Sequence, residues 1–372
     1  MTRVLAVRLD SDGDVLLTGP AVRALAAAFG PVDLLVSSQG RAAAALLPDV
    51  GHVLVFDAPW SGYRPPPLDP PAVTGLVERL AGRAYDRAVV FTSFHQSPLP
   101  TALLLRLAGV GHVAATSEDY PGALLDVRHR RPDGLHEVEA ALDLAVAAGG
   151  RLAPDDQGRL AVRGPLPDPV VLHQMGLAPG TPYVVLHPGA SVPSRALAPG
   201  HAAGVVAALA VAGRAVVLTG GPAERTLVGE VHDRALGLTS TRTPVLDVAG
   251  RTDLPTLAAV LAGAEAVVVG NTGPAHLAAA VGTPVVSLFS PVVPADRWAP
   301  YGVPAVLLGD QGAACAGTRA RECPVAGHPC LTGVAPGQVV AAVDALVPAP
   351  SATGPSRPAP VGAPAPLEEV RR

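Results

Sequence analysis

The chain has 372 residues, enough for two domains of ordinary size, each with its own core. Hydrophobic residues make up 49% but aromatics only 3%, so those cores must be packed from Ala, Val and Leu. A net charge of −4 argues against nucleic acid as a partner, and all 27 cationic side chains are Arg, which excludes a Schiff-base lysine and a lysine-bearing phosphate loop.

Arg3–Leu9 is a short apolar run closed by a polar turn and predicts a buried strand. The turn DSDGD follows, and Val15–Phe29 then shows helix-compatible apolar spacing. Asp10, Asp12 and Asp14 are therefore expected in a strand-to-helix loop, at the sheet edge where open α/β folds bind ligands. For Asp10 and Asp12 the reading is a cap or a solvated side chain. Asp14, directly after Gly13 at the helix start, stays open between capping and catalysis.

Strands are predicted at 32–37 and 52–56 around a helix near 40–47, followed by a Pro-rich loop, Ala58–Pro71. A helix at 72–82 and a strand at 86–91 lead into the loop TSFHQSP, which puts His95 on the same ligand edge. Helix 99–109 comes next, then the amphipathic helix Leu135–Gly149. The polar, Gly/Pro-rich stretch 150–169 reads as a domain linker.

The second half repeats this rhythm. Pro182–Ser191 is a strand running into a Gly turn, and 214–231 is a strand, a Gly-Gly turn and a helix. Ala266–Phe289 reads as strand, sharp polar turn, short Ala-rich helix and second buried strand. In that turn Thr272 is placed to cap the helix, Gly273 leaves room for close backbone approach, Pro274 suits a first helical turn, and His276 lies one turn in. A helix start there gathers free N–H groups and a positive dipole end, where phosphate binds.

The alternation predicts two facing, Rossmann-like doubly wound α/β domains, 1–165 and 166–347, with a central cleft. A Pro/Ala-rich tail, 348–372, is expected to be disordered. No GxGxxG follows either opening strand, which disfavours a dinucleotide dehydrogenase. The spacings of Cys315, Cys323, His328 and Cys330 match no standard zinc pair, so a loop of reduced cysteines without metal is expected. No stretch reads as a membrane span or signal peptide, and a cytoplasmic protein is expected.

Four segments resemble glycosyltransferase family 9, the heptosyltransferase-like enzymes of GT-B fold: Arg3–Leu25, Leu186–Gly200, Gly270–Gly302 and Cys323–Val343. The resemblance implies an inverting glycosyltransferase that moves a heptose or similar sugar from a nucleotide-diphosphate donor, ADP-linked by preference. The acceptor would be a hydroxyl of a glycolipid, polysaccharide or small molecule, met in the cytoplasm or in peripheral contact with the membrane. By position Asp14 would be the catalytic base. Ser191 and Arg195 would contact the donor diphosphate, and Gly220 and Glu224 the nucleotide. Asn271, Thr272, Gly273, Pro274 and His276 would form the phosphate-binding turn, with Asp12, Gly13 and His95 on the acceptor side. Asn271 stands where the family often has Asp, and Arg195 where it has Lys. No cofactor or metal is required, because Arg195 and a helix N-terminus can carry the leaving charge. Two other readings share this architecture: a nucleotide-sugar epimerase or hydrolase, and a sugar-nucleotide-binding protein without turnover.

Overall fold

The structure, a computed structural model, describes residues 2–62, 65–93 and 96–347; His95 and the stretch 348–372 lie outside the described residues. The apolar runs become two six-stranded sheets. The first contains β1 (Val4–Arg8), β2 (Val32–Val36), β3 (Val50–Val55), β4 (Arg87–Phe91), β5 (His112–Thr116) and β6 (Val127–His129), in the order β3-β2-β1-β4-β5-β6. The second contains β7 (Tyr183–His187), β8 (Ala215–Leu218), β9 (Val245–Asp247), β10 (Ala266–Gly270), β11 (Val285–Leu288) and β12 (Ala305–Leu308), in the order β12-β11-β10-β7-β8-β9. All neighbours are parallel: Ala6 lies opposite Leu34 and Val89, and Val268 opposite Val286 and Leu186. Parallel sheets carry helices on both faces, which is why β1, β7 and β10 are buried along their whole length. Each strand order reverses once, between β1 and β4 and between β7 and β10. This is the GT-B arrangement of two doubly wound halves, and its two switch points are where ligands bind.

The helix Asp12–Phe29 joins the halves. It packs against the helix Glu137–Ala147 and against Gly273–Ala280 of the second half, and one apolar cluster runs through both. The approach is closest at Gly13, where a Cβ would stand 3.1 Å from Gly273 Cα and 3.3 Å from His276 Cδ2. Any side chain at Gly13 would push the two helix starts apart.

Two expectations change here. The first helix begins at Asp12 rather than Val15, with Ser11 as its extended N-cap residue, so Asp12 and Asp14 sit in its first turn and not in a loop. Acidic side chains suit the positive end of a helix, but they carry no apolar periodicity that would reveal it. Strands β5, β6 and β12 were not foreseen; β6 is only three residues long and β12 is half-exposed. The segment Pro193–Val211 is long and apolar enough to cross a membrane by length and composition. Its inner residues Ala202, Val205, Val206 and Leu209 are buried in the second core.

Candidate active site

The carboxyl end of β1 supplies the first half of the site. Arg8 closes the strand with a buried guanidinium, whose Nη2 donates to Asp14 Oδ1 at 3.0 Å and to Ser93 Oγ at 2.9 Å. Its Nε lies 2.8 Å from Asp10 Oδ2, an ion pair whose N–H is off the line of a good hydrogen bond. Asp10 also accepts from Gln96 Nε2 at 2.6 Å and Ser93 Oγ at 3.2 Å. Asp10 is thus neither a cap nor solvated: the Arg8 cation beside it and the hydroxyl and amide of Ser93 and Gln96, 83 and 86 residues away on the β4 loop, draw it inside. Burial pushes its carboxyl up, against the pull of Arg8 and those two hydrogen bonds. Asp12 Oδ1 accepts the Ala43 N–H at 2.9 Å, at the start of the helix Arg41–Leu46. Asp14 Oδ2 accepts from Ser11 Oγ at 2.9 Å, and its side chain keeps 23% of its surface open.

The second half comes from the ends of β7 and β10. The single turn Pro193–Arg195 carries Arg195, whose Nε is buried without a hydrogen-bond partner. Burial pulls the Arg195 guanidinium down and the Asp14 carboxylate partly offsets this; the two residues line the same cavity. Gly270 must be glycine for this turn to pass, since a Cβ there would meet the Arg195 carbonyl at 2.6 Å. Thr272 occupies the N-cap position of the helix Gly273–Ala280 in extended conformation (φ −146°), yet its hydroxyl makes no capping bond. Contrary to expectation, that hydroxyl is left for another acceptor or donor. Pro274 sits in the first turn, where no N–H is needed.

Asn271 is buried, with Nδ2 donating to Ser290 O at 3.1 Å and Oδ1 accepting from Ser290 N at 3.2 Å. A carboxylate has no N–H to give the Ser290 carbonyl, so the amide at this position serves to tie the ends of β10 and β11 together. His276 is held neutral: burial, with His136 and Arg195 adding to it, lowers its pKa to about 4 against the pull of Asp14. Its Nδ1 has no partner.

Gly13, Asp14, Ser191, Arg195, Asn271, Thr272, Gly273 and His276 line one cavity of about 80 Å³, together with Ser11, Val293 and Trp298. Residues predicted more than 250 positions apart are brought together here. A larger cavity of about 500 Å³ opens beside it on the first half, floored by Phe91, Ala140, Ala141 and Leu144, and Arg8 reaches it. Arg131 and Glu137 form an ion pair at 2.6 Å in its wall, and Arg297 reaches it from the second half. Gly220 and Glu224 lie one strand over, at the end of β8, and do not line the small cavity. Glu224 Oε2 accepts the Gly221 N–H at 2.7 Å and lies 3.6 Å from His187 Nε2. His95 falls outside the described residues. Among the described residues no three His, Cys, Asp or Glu side chains converge to hold a metal, and Cys315, Cys323 and Cys330 are free thiols.

Arg8 and His136 were missed at the sequence level. Arg8 had a signal, a lone cation in an apolar strand. His136 had none: its Nδ1 accepts the Val138 N–H, so Nε2–H donates across the halves to Ala299 O at 3.0 Å, and the ring stacks on Tyr301.

Burial lowers the pKa of His136, His187 and His276 alike. An unfolded histidine takes up a proton near 6.5, whereas folded His276 does so only near 4. Stability is therefore fully present above pH 6.5 and falls as the pH drops toward 4, with His276 accounting for up to about 3 kcal/mol. Urea unfolding at pH 7.5 and 4.5 should show this loss, and His276→Gln should reduce it. An equal loss in the variant would contradict the assignment.

A family model described as glycosyltransferase family 9 (heptosyltransferase) matches residues 73–328. The lipopolysaccharide heptosyltransferase 3 of Escherichia coli is 36% identical over 110 residues, and the match spans 30% of this chain and about a third (32%) of that relative. The structure of E. coli ADP-heptose lps heptosyltransferase II superimposes with a TM-score of 0.72 at 21% identity, covering 93% of this chain and 98% of that one. E. coli heptosyltransferase WaaC with ADP-2-deoxy-2-fluoro heptose gives 0.64 at 22% identity, covering 91% and 99%.

Proposed function

The chain belongs to glycosyltransferase family 9, and from that membership and the geometry of the cleft we propose that it is an inverting glycosyltransferase using an ADP-linked heptose or similar sugar. One observation carries the reading: a partly open carboxylate, Asp14, and a half-buried cation, Arg195, whose Nε has no hydrogen-bond partner among the described residues, line one cavity that also holds a helix N-terminus. The donor diphosphate lies against Arg195, Ser191, the Thr272 hydroxyl and the Gly273 N–H, where the dipole and the guanidinium offset its charge. This arrangement asks for no metal. Gly220 and Glu224 lie toward the nucleoside.

The acceptor hydroxyl enters from the larger cavity. Asp14 takes its proton as the oxygen attacks the anomeric carbon, and the bond from that carbon to the diphosphate oxygen breaks on the opposite face. A single displacement inverts the anomeric centre, and ADP leaves with the negative charge that Arg195 holds. Arg8 and Ser11 keep the Asp14 carboxylate aimed throughout. The acceptor is a glycolipid, a polysaccharide or a smaller glycoside. A lipid-linked one would bring this cytoplasmic enzyme into peripheral contact with the membrane.

Thermal unfolding in EDTA with ADP-, GDP- and UDP-linked sugars tests the donor. The ADP-linked sugar should stabilise selectively, by about 2.7 kcal/mol at a hundredfold excess over its Kd. No shift with any nucleotide would overturn the reading.

A further inference from the structure

We propose that Asp10 is a positioning residue for the transfer: it takes up the Arg8 guanidinium and leaves Asp14 held by a single bond from that cation, free to accept a proton. The inference rests on Asp14 being the base. Arg8 is 3% exposed and Asp10 7%, so one guanidinium and one full carboxylate have been removed from water beside the Asp14 side chain. Desolvating such a pair is costly, and packing alone would be served as well by neutral residues of that size. The pair is therefore kept for what it does to its neighbour.

Every contact to Asp10 comes from a donor. Gln96 Nε2 reaches Oδ1, while Ser93 Oγ and Arg8 Nε reach Oδ2. That set suits an ionised carboxylate. Ser93 is shared, accepting from Arg8 Nη2 and donating to Asp10, so it fixes the angle at which the guanidinium stands. Nη2 alone bonds Asp14, at 3.0 Å. Without Asp10 the fork would be free to close on Asp14 with two parallel N–H bonds, and a carboxylate so clamped is a poorer proton acceptor.

The other charged groups facing this cluster leave that role to Asp10. Glu137, on the helix packed behind Arg8, is already paired with Arg131. Asp12 is bonded to the Ala43 N–H, and Arg297 stands in the larger cavity. Arg195 and His276 face Asp14 from the second half, and His276 is neutral.

The test is a carboxyl NMR titration of protein carrying 13C-labelled aspartate, with the Asp14 resonance assigned through Asp14→Asn. In Asp10→Asn the Asp14 midpoint should move down by about one pH unit, with ADP affinity unchanged. Adding Arg8→Gln should bring it back toward the wild-type position, because cation and anion are then both gone. Asp10→Ser serves if the Asn variant does not fold. The acid limb of nucleotide release should move in the same direction. An unmoved Asp14 midpoint overturns the proposal for Asp10, even if Asp14→Asn is inactive. Undiminished transfer in Asp14→Asn would instead remove the base on which it rests.

Discussion

Replacing Asp14 by Asn should lower the transfer rate by about 10²–10⁴-fold while leaving ADP-sugar affinity as it was. The amide keeps the geometry: its oxygen can still accept from Arg8 Nη2, and the Ser11 hydroxyl can rotate to accept where it now donates. Only the capacity to take a proton is lost. Steady-state rates beside calorimetric donor affinities measure the two halves of this expectation. A rate close to wild type would remove Asp14 from the mechanism. A collapse of donor affinity would mean that its charge organises the donor site and not the proton transfer.

Arg195→Ala should have the opposite signature, weakening ADP-sugar binding roughly 10- to 100-fold, the value of one or two charge-assisted hydrogen bonds. Its guanidinium pairs with no carboxylate among the described residues, so removing it leaves no protein group stranded, and the melting temperature of the free protein should hardly change. Arg195→Lys should fall between, since the charge remains but the planar fork does not. Titration of ADP into the three proteins measures this. Equal affinities would place the diphosphate elsewhere.

The contrast between these two residues reflects how differently they could be read from the sequence. Asp14 and the turn Asn271–His276 stand at strand-to-helix junctions, and such junctions are visible in one dimension because apolar runs of strand length end abruptly in Gly, Asp, Asn and Pro. The two domains were legible for the same reason. The partners of those residues were not. Asp10 meets Gln96 across 86 positions, and nothing in the polar turn DSDGD distinguishes an acid that will be buried from one that will be solvated. Gly13 shows the same limit: its need for a missing side chain arises from Gly273, in the other half of the chain. Asn271 stands where the family often has Asp, and the sequence alone offers no reason for the amide. Its two bonds to Ser290 give the substitution a role in holding the cleft together.

A crystal structure of the protein with a 2-fluoro ADP-sugar that cannot be turned over would place the donor directly. The diphosphate is expected between Arg195 and the N-terminus of the helix Gly273–Ala280, with the sugar turned toward Asp14 and the larger cavity left open for an acceptor. A donor lodged in that larger cavity, with Arg195 and Thr272 uncontacted, would contradict this placement.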